Sequence, residues 1–164
     1  MMKTPIIYIG YDPAEHDAYI VARHTIEKHA SGPVVIKPLV QPELRHMGLY
    51  SRTHTVDANG DVIDSQDMKP FSTQFTFTRF LVPFLTGRHG WAIFMDCDMM
   101  IREDIYKLWD LRDDKYAVMC VKHQHVPDDG RKMFNQVQTR YSRKNWSSVM
   151  MINCGHERHR DLSL

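Results

Sequence analysis

The stretch that most limits how this chain can fold is residues 91–101, WAIFMDCDMMI. Trp91, Ala92, Ile93, Phe94 and Met95 form an unbroken apolar run. Such runs lie where both faces of a strand are covered, as in the centre of an α/β sheet. The run leads directly into Asp96-Cys97-Asp98, and apolar residues resume at Met99. Two carboxylates at the end of a buried strand are expensive to desolvate unless something compensates them. A cation is the simplest compensation, and oxygens two residues apart can approach one hard ion, Mn²⁺ or Mg²⁺. The C-terminal edge of such a strand is also where open α/β sheets bind ligands. An Asp-x-Asp triplet by itself is a weak signal, and its bland counterpart is a capped strand-to-helix turn. Its position is what makes it informative.

The residues before this stretch support the same architecture. Residues 5–10 read as a buried strand, 14–30 as a helix with Tyr19, Ile20, Ala22 and Ile26 on one face, and 34–39 as a second strand. This β-α-β opening predicts parallel strands. A short helix is expected from Gln41, and an Asn59-Gly60 hairpin within residues 53–64. Ser72 is expected to cap an aromatic helix running to Leu85 and carrying Arg79, with Pro83 kinking or shortening it. After the Asp-x-Asp strand come a short helix at 103–108, a buried strand at 116–122, a polar and basic loop at 123–145, and a last strand at 148–153. The whole reads as one α/β domain spanning residues 1–164.

Composition narrows the partners. A formal net charge of +1 argues against a nucleic-acid polyanion or an anionic membrane as ligand. No segment reads as a leader or a membrane span. Cys97, Cys120 and Cys154 are distributed as reduced thiols of a cytoplasmic protein. Gly10 and Asp12 read first as a strand-ending turn; the functional alternative is a ligand approaching the Gly10 backbone while Asp12 accepts a hydrogen bond from a base or ribose. Arg79 is either a snorkelling surface residue or a phosphate or sugar contact. The pairs His123/His125 and His156/His159 lack a partner set that would make them zinc sites.

With these residues placed, the order resembles the GT-A nucleotide-sugar glycosyltransferases, most nearly glycosyltransferase family 8, including glycogenin-like and bacterial galactosyltransferase members. Four blocks carry the likeness: IIYIGYD, FTFTRFLVPFL, WAIFMDCDMMIREDIYKLW and NWSSVMMIN. The resemblance implies a GT-A, Rossmann-like, mostly parallel central sheet flanked by helices. It implies Mn²⁺ (or Mg²⁺) held by Asp96 and Asp98 on the diphosphate of a UDP-sugar, with Cys97 between them in the binding turn. It places Gly10, Tyr11 and Asp12 near the base and ribose, and Arg79 near the donor sugar or phosphate. It implies transfer with retention of configuration to an acceptor that could be a glycan, a lipid-linked sugar or a protein; no catalytic residue is assigned. The family's usual Asn-Ala-Gly is replaced by Trp146-Ser147-Ser148, so Asn145 and Ser147 are the substitutes for its sugar-contacting Asn. Family members run longer and supply a late His to the metal. The expectation is therefore a C-terminally truncated, donor-binding unit, prone to self-association. Two other readings compete: a non-catalytic nucleotide or sugar binder, and a haloacid-dehalogenase-type phosphatase, against which Met100 stands where that motif has Thr or Val.

Overall fold

A computed structural model of the chain describes residues 4–123, 144–160 and 162. Its main elements are β1 (Ile6–Tyr11), α1 (His16–His29), β2 (Val35–Val40), α2 (Gln41–His46), β3 (His54–Val56), β4 (Val62–Asp64), α3 (Val82–Leu85), β5 (Trp91–Met95), α4 (Ile105–Trp109), β6 (Val118–His123) and β7 (Lys144–Asn153). Five strands form one sheet in the order β2-β1-β5-β7-β6. β2 and β5 run parallel to β1 on either side of it, while β7 is antiparallel to both β5 and β6. Only β7 is reversed, so the sheet is mostly parallel, and helices pack on it as the resemblance implies.

The apolar run at residues 91–95 does form a central strand. Ala92, Ile93 and Phe94 are fully buried, as are Ile7 and Ile9 on neighbouring β1. Helix α1 packs on β1 through Tyr19, Ala22, Thr25 and Ile26. Ile20, expected on that face, is 48% exposed. At 3.6 residues per turn it lies about 100° round the helix from Tyr19, well off the stripe that Tyr19, Ala22 and Ile26 define. β6 is also not the buried strand expected there: it is the sheet's edge, with Val118 and Val121 exposed.

The expected helix from Ser72 to Leu85 does not form as one unit. A 3₁₀ turn at Thr78–Leu81 leads into the single turn of α3. Pro83 sits in the first turn of α3, where its missing N–H costs nothing and its fixed φ favours initiation. It starts that helix; it does not kink a longer one. Upstream, the Gln74 amide is bonded to the Asp12 carboxylate at 2.9 Å, so Ser72 caps nothing there. Of the expected basic loop, residues 124–143 (with Arg131, Lys132, Arg140 and Arg143) lie outside the described residues.

The Asn59-Gly60 hairpin is present, with Gly60 at φ 85°. What the sequence does not announce is how firmly it is held. Asp64 is 1% exposed and takes a two-pronged contact from Arg52, Nε to Oδ1 at 2.9 Å and Nη2 to Oδ2 at 2.6 Å. The amides of Gln66 and Asp67 add two more bonds, and the Arg52 guanidinium lies 4.1 Å from the centre of the Phe77 ring. Burial pushes the Asp64 carboxyl up, but Arg52 and the two amides outweigh it and hold the group below the usual carboxylate range. A carboxyl held low stabilises the fold above its unfolded pKa, about 4, and that contribution is lost as pH falls through the lowered folded value. The urea-stability difference between the protein and Asp64→Asn should therefore be constant at neutral pH and shrink progressively below about pH 4.

Candidate functional site

The site is built at the C-terminal edge of β1 and β5. Ile9 pairs with Met95 in parallel register, so the continuations Gly10-Tyr11-Asp12 and Asp96-Cys97-Asp98 leave the sheet side by side. Asp12 clamps the first of these. Its Oδ1 accepts from the Ala14 amide at 2.9 Å and its Oδ2 from the Gln74 amide at 2.9 Å. The Tyr11 hydroxyl lies 3.1 Å from His16 Nδ1, and its ring meets Tyr19 edge-on at 5.3 Å.

Gly10 has a structural reason for lacking a side chain. A Cβ there would stand 2.5 Å from Phe75 Cγ, so Phe75 already fills the space that the sequence reading reserved for a ligand. Gly10→Ala should cost about 1–3 kcal/mol by overpacking, measured by urea denaturation, and trimming Phe75 to Leu in the same chain should recover part of it.

Asp96 and Arg79 form the centre of the second continuation. The side chains are 16% and 11% exposed, and Arg79 Nη2 lies 3.1 Å from Asp96 Oδ1. This is a charge contact without hydrogen-bond alignment, and Oδ1 remains a buried oxygen with no hydrogen bond among the described residues. Arg79 is fixed from other directions: Nε donates to the Thr76 carbonyl at 3.1 Å, Nη1 to the Ser147 carbonyl at 2.9 Å, and the guanidinium stands 4.7 Å from the centre of the Phe94 ring. Burial pushes the Asp96 carboxyl up and the Arg79 guanidinium down, and each is opposed by the charge of the other. Asp98, two residues on, is exposed, and its negative charge adds to the upward push on Asp96.

The other predicted residues divide. Ser147 takes part through its carbonyl, which receives Arg79. Asn145 lies in β7 paired with Lys122. Cys97 is 1% exposed and its thiol donates to Glu15 Oε2 at 2.9 Å, so it faces the protein and not a ligand. Burial first, and then Glu15, push this thiol well above the usual range. His159 Nε2 lies 3.1 Å from the Ala117 carbonyl, and His156 Nδ1 accepts from the Arg158 amide; both rings serve the chain's own packing.

A cavity of about 350 Å³ opens beside Asp12. Tyr50, His54 and Phe71 supply aromatic walls, Glu15 and Gln74 polar ones. Gln74 Oε1 is buried with no hydrogen-bond partner among the described residues, an acceptor open to an N–H donor. Sequence reasoning missed Tyr50, His54 and Phe71, whose only signal was their place around the hairpin. For a hard cation, Asp96 Oδ1, which carries no hydrogen bond and only the charge contact with Arg79, and the exposed Asp98 carboxylate are a fitting oxygen pair. No cluster of three His, Cys, Asp or Glu suited to a metal is present among the described residues.

Residues 33–159 match the family described as glycosyl transferase family 8. Protein CDI of Arabidopsis thaliana is 47% identical over 162 residues, covering 98% of this chain and 58% of that protein. The chain thus spans a little over half the length of this curated relative. Among solved structures, the bifunctional glycosyltransferase WbbM in its apo form superposes with a TM-score of 0.54 at 14% identity, over 94% of this chain and 32% of that one. The apo form of the glycosyltransferase GlyE from Streptococcus pneumoniae TIGR4 gives 0.49 at 15% identity, over 93% and 34% respectively. The likeness to WbbM is one of fold.

Proposed function

The chain belongs to glycosyl transferase family 8, and from that premise we propose that residues 1–164 form the donor-binding domain of a metal-dependent hexosyltransferase that uses a UDP-sugar and retains anomeric configuration. The observation that carries this reading is the buried, hydrogen-bond-free Asp96 Oδ1 beside Asp98 at the end of β5, with Arg79 against it. Asp96 and Asp98 would hold Mn²⁺ or Mg²⁺, which supplies Lewis-acid neutralisation of the leaving diphosphate. Arg79 adds a positive charge fixed on three sides, suited to a phosphate or sugar oxygen. The aromatic cavity beside Asp12 would take the base, with Gln74 Oε1 accepting from its N–H. The acceptor is a glycan, a lipid-linked sugar or a protein. Three cysteines without disulfides favour a cytoplasmic setting, and no helix of the described residues is long and apolar enough to cross a membrane.

Thermal denaturation with Mn²⁺ and UDP tests this. Ligand at about one hundred times its Kd should add about 2.7 kcal/mol of stability, and either component alone much less. Absence of a shift with Mn²⁺ and any nucleoside diphosphate would overturn the reading.

A further inference from the structure

Polar contacts and short stretches of chain link the ends of β1 and β5 in a closed circuit, and one of its members, Glu15, is so far only a cavity wall and the acceptor for Cys97. Asp12 Oδ2 accepts from the Gln74 amide at 2.9 Å. The chain then runs to Arg79, whose Nη2 is 3.1 Å from Asp96 Oδ1. Cys97 follows Asp96, and its thiol donates to Glu15 Oε2 at 2.9 Å. The Glu15 amide donates to the Asp12 carbonyl at 2.9 Å, which closes the circuit.

The turn bearing those carboxylates is tied at both ends. The Asp96 amide donates to the Ser148 carbonyl at 2.8 Å, and the Ile101 amide to Thr25 Oγ1 at 3.1 Å. Between them the turn is held by two side-chain contacts, Asp96 to Arg79 and Cys97 to Glu15. The donor thiol of the second is 1% exposed, so water is kept from that side of the bond. Glu15 is half-buried and also lines the cavity, so one carboxylate touches both halves of the site.

Resting on the donor-site reading, we propose that Glu15 is a positioning residue: by accepting from Cys97 it holds the Asp96–Asp98 turn at a fixed setting against the cavity at the end of β1. Residues that orient metal-binding carboxylates from outside are worth on the order of tenfold or more in affinity. What the role requires of Glu15 is an acceptor oxygen, not a negative charge. Gln keeps that oxygen and Ala removes it.

Two measurements test the proposal. The first is titration of each variant with MnCl₂ and UDP. Glu15→Ala should bind about tenfold more weakly, Glu15→Gln within about twofold of the parent. Cys97→Ala should match Glu15→Ala, and the double Ala variant should be no weaker than either, because both remove one bond. The second is amide hydrogen exchange of peptides covering residues 96–101 without ligand, which should quicken in Glu15→Ala and stay unchanged in Glu15→Gln. Gln behaving like Ala, additive losses in the double variant, or unchanged exchange in Glu15→Ala would each overturn the positioning role. A parent that ignores Mn²⁺ and UDP would instead overturn the donor-site reading. The exchange result would then still decide whether Glu15 holds the turn.

Discussion

Arg79→Ala is expected to destabilise the protein by about 3–5 kcal/mol, the range for removing one partner of a buried ion pair. Three things are lost at once. The Thr76 and Ser147 carbonyls lose their donor, so the segment at residues 76–79 is no longer tied to β7. The Phe94 ring loses the cation beside it. Above all, Asp96 keeps a side chain only 16% exposed and loses the charge 3.1 Å away. Burial already pushes that carboxyl up, and without Arg79 only a hydrogen bond from the Ser148 side chain still opposes the push. The sign of the pH dependence follows. A carboxyl whose folded pKa lies above its unfolded value destabilises the fold when ionised, and the penalty shrinks as pH falls below the folded pKa and vanishes only below the unfolded value, about 4. Urea denaturation should therefore show a larger deficit for Arg79→Ala at pH 8 than at pH 5. Adding Asp96→Asn to Arg79→Ala should restore more of the loss at pH 8 than at pH 5, and least below the unfolded carboxylate pKa of about 4. A deficit independent of pH, or no rescue by the second substitution, would mean that Asp96 is not the group left stranded.

The strand that carries Asp96 was legible because hydrophobicity alone identifies it: five apolar residues ending in two acids fit a buried strand and little else. The β1-α1-β2 opening was legible for the same reason, with periodicity switching from strand to helix and back. Residues 72–81 were not. Their aromatic spacing suits a helix, but their path is decided by Asp12, 62 residues earlier, and by Ser147, 68 residues later. No local signal encodes a partner at that distance. Gly10 shows the converse. Its position after a strand suggested an approaching ligand, and the atom that approaches is Phe75, which the sequence does not place there. Cys97 was assigned to the site by its neighbours, yet its side chain turns towards Glu15, a residue in a plain turn that no motif marks. The identities of the acids were readable; the contacts that set their orientation were not.

Asp96→Asn and Asp98→Asn should both abolish the response to Mn²⁺ and UDP while affecting the fold differently. Asp98 is exposed, so its substitution should leave stability within about 0.5 kcal/mol of the parent. Asp96 is harder, since an Asn there leaves Arg79 without its counter-charge. Two features limit the damage. Burial already favours the neutral form of Asp96, which Asn imitates. Arg79 also keeps its bonds to the Thr76 and Ser147 carbonyls. A loss of about 1–2 kcal/mol is expected, near the ordinary range for single substitutions and well short of Arg79→Ala. Binding should fall much further, because Asn can offer a neutral oxygen but no charge to a divalent ion. If affinity drops one hundredfold, ligand at one hundred times the parent Kd adds about 0.4 kcal/mol in place of about 2.7 kcal/mol. Thermal denaturation with and without Mn²⁺ and UDP measures both quantities on one sample. Retention of the full shift in both variants would remove the cation from this pair of carboxylates. Loss in Asp96→Asn alone, with Asp98→Asn unaffected, would instead assign the response to the buried Asp96–Arg79 contact and leave Asp98 as a solvated turn residue.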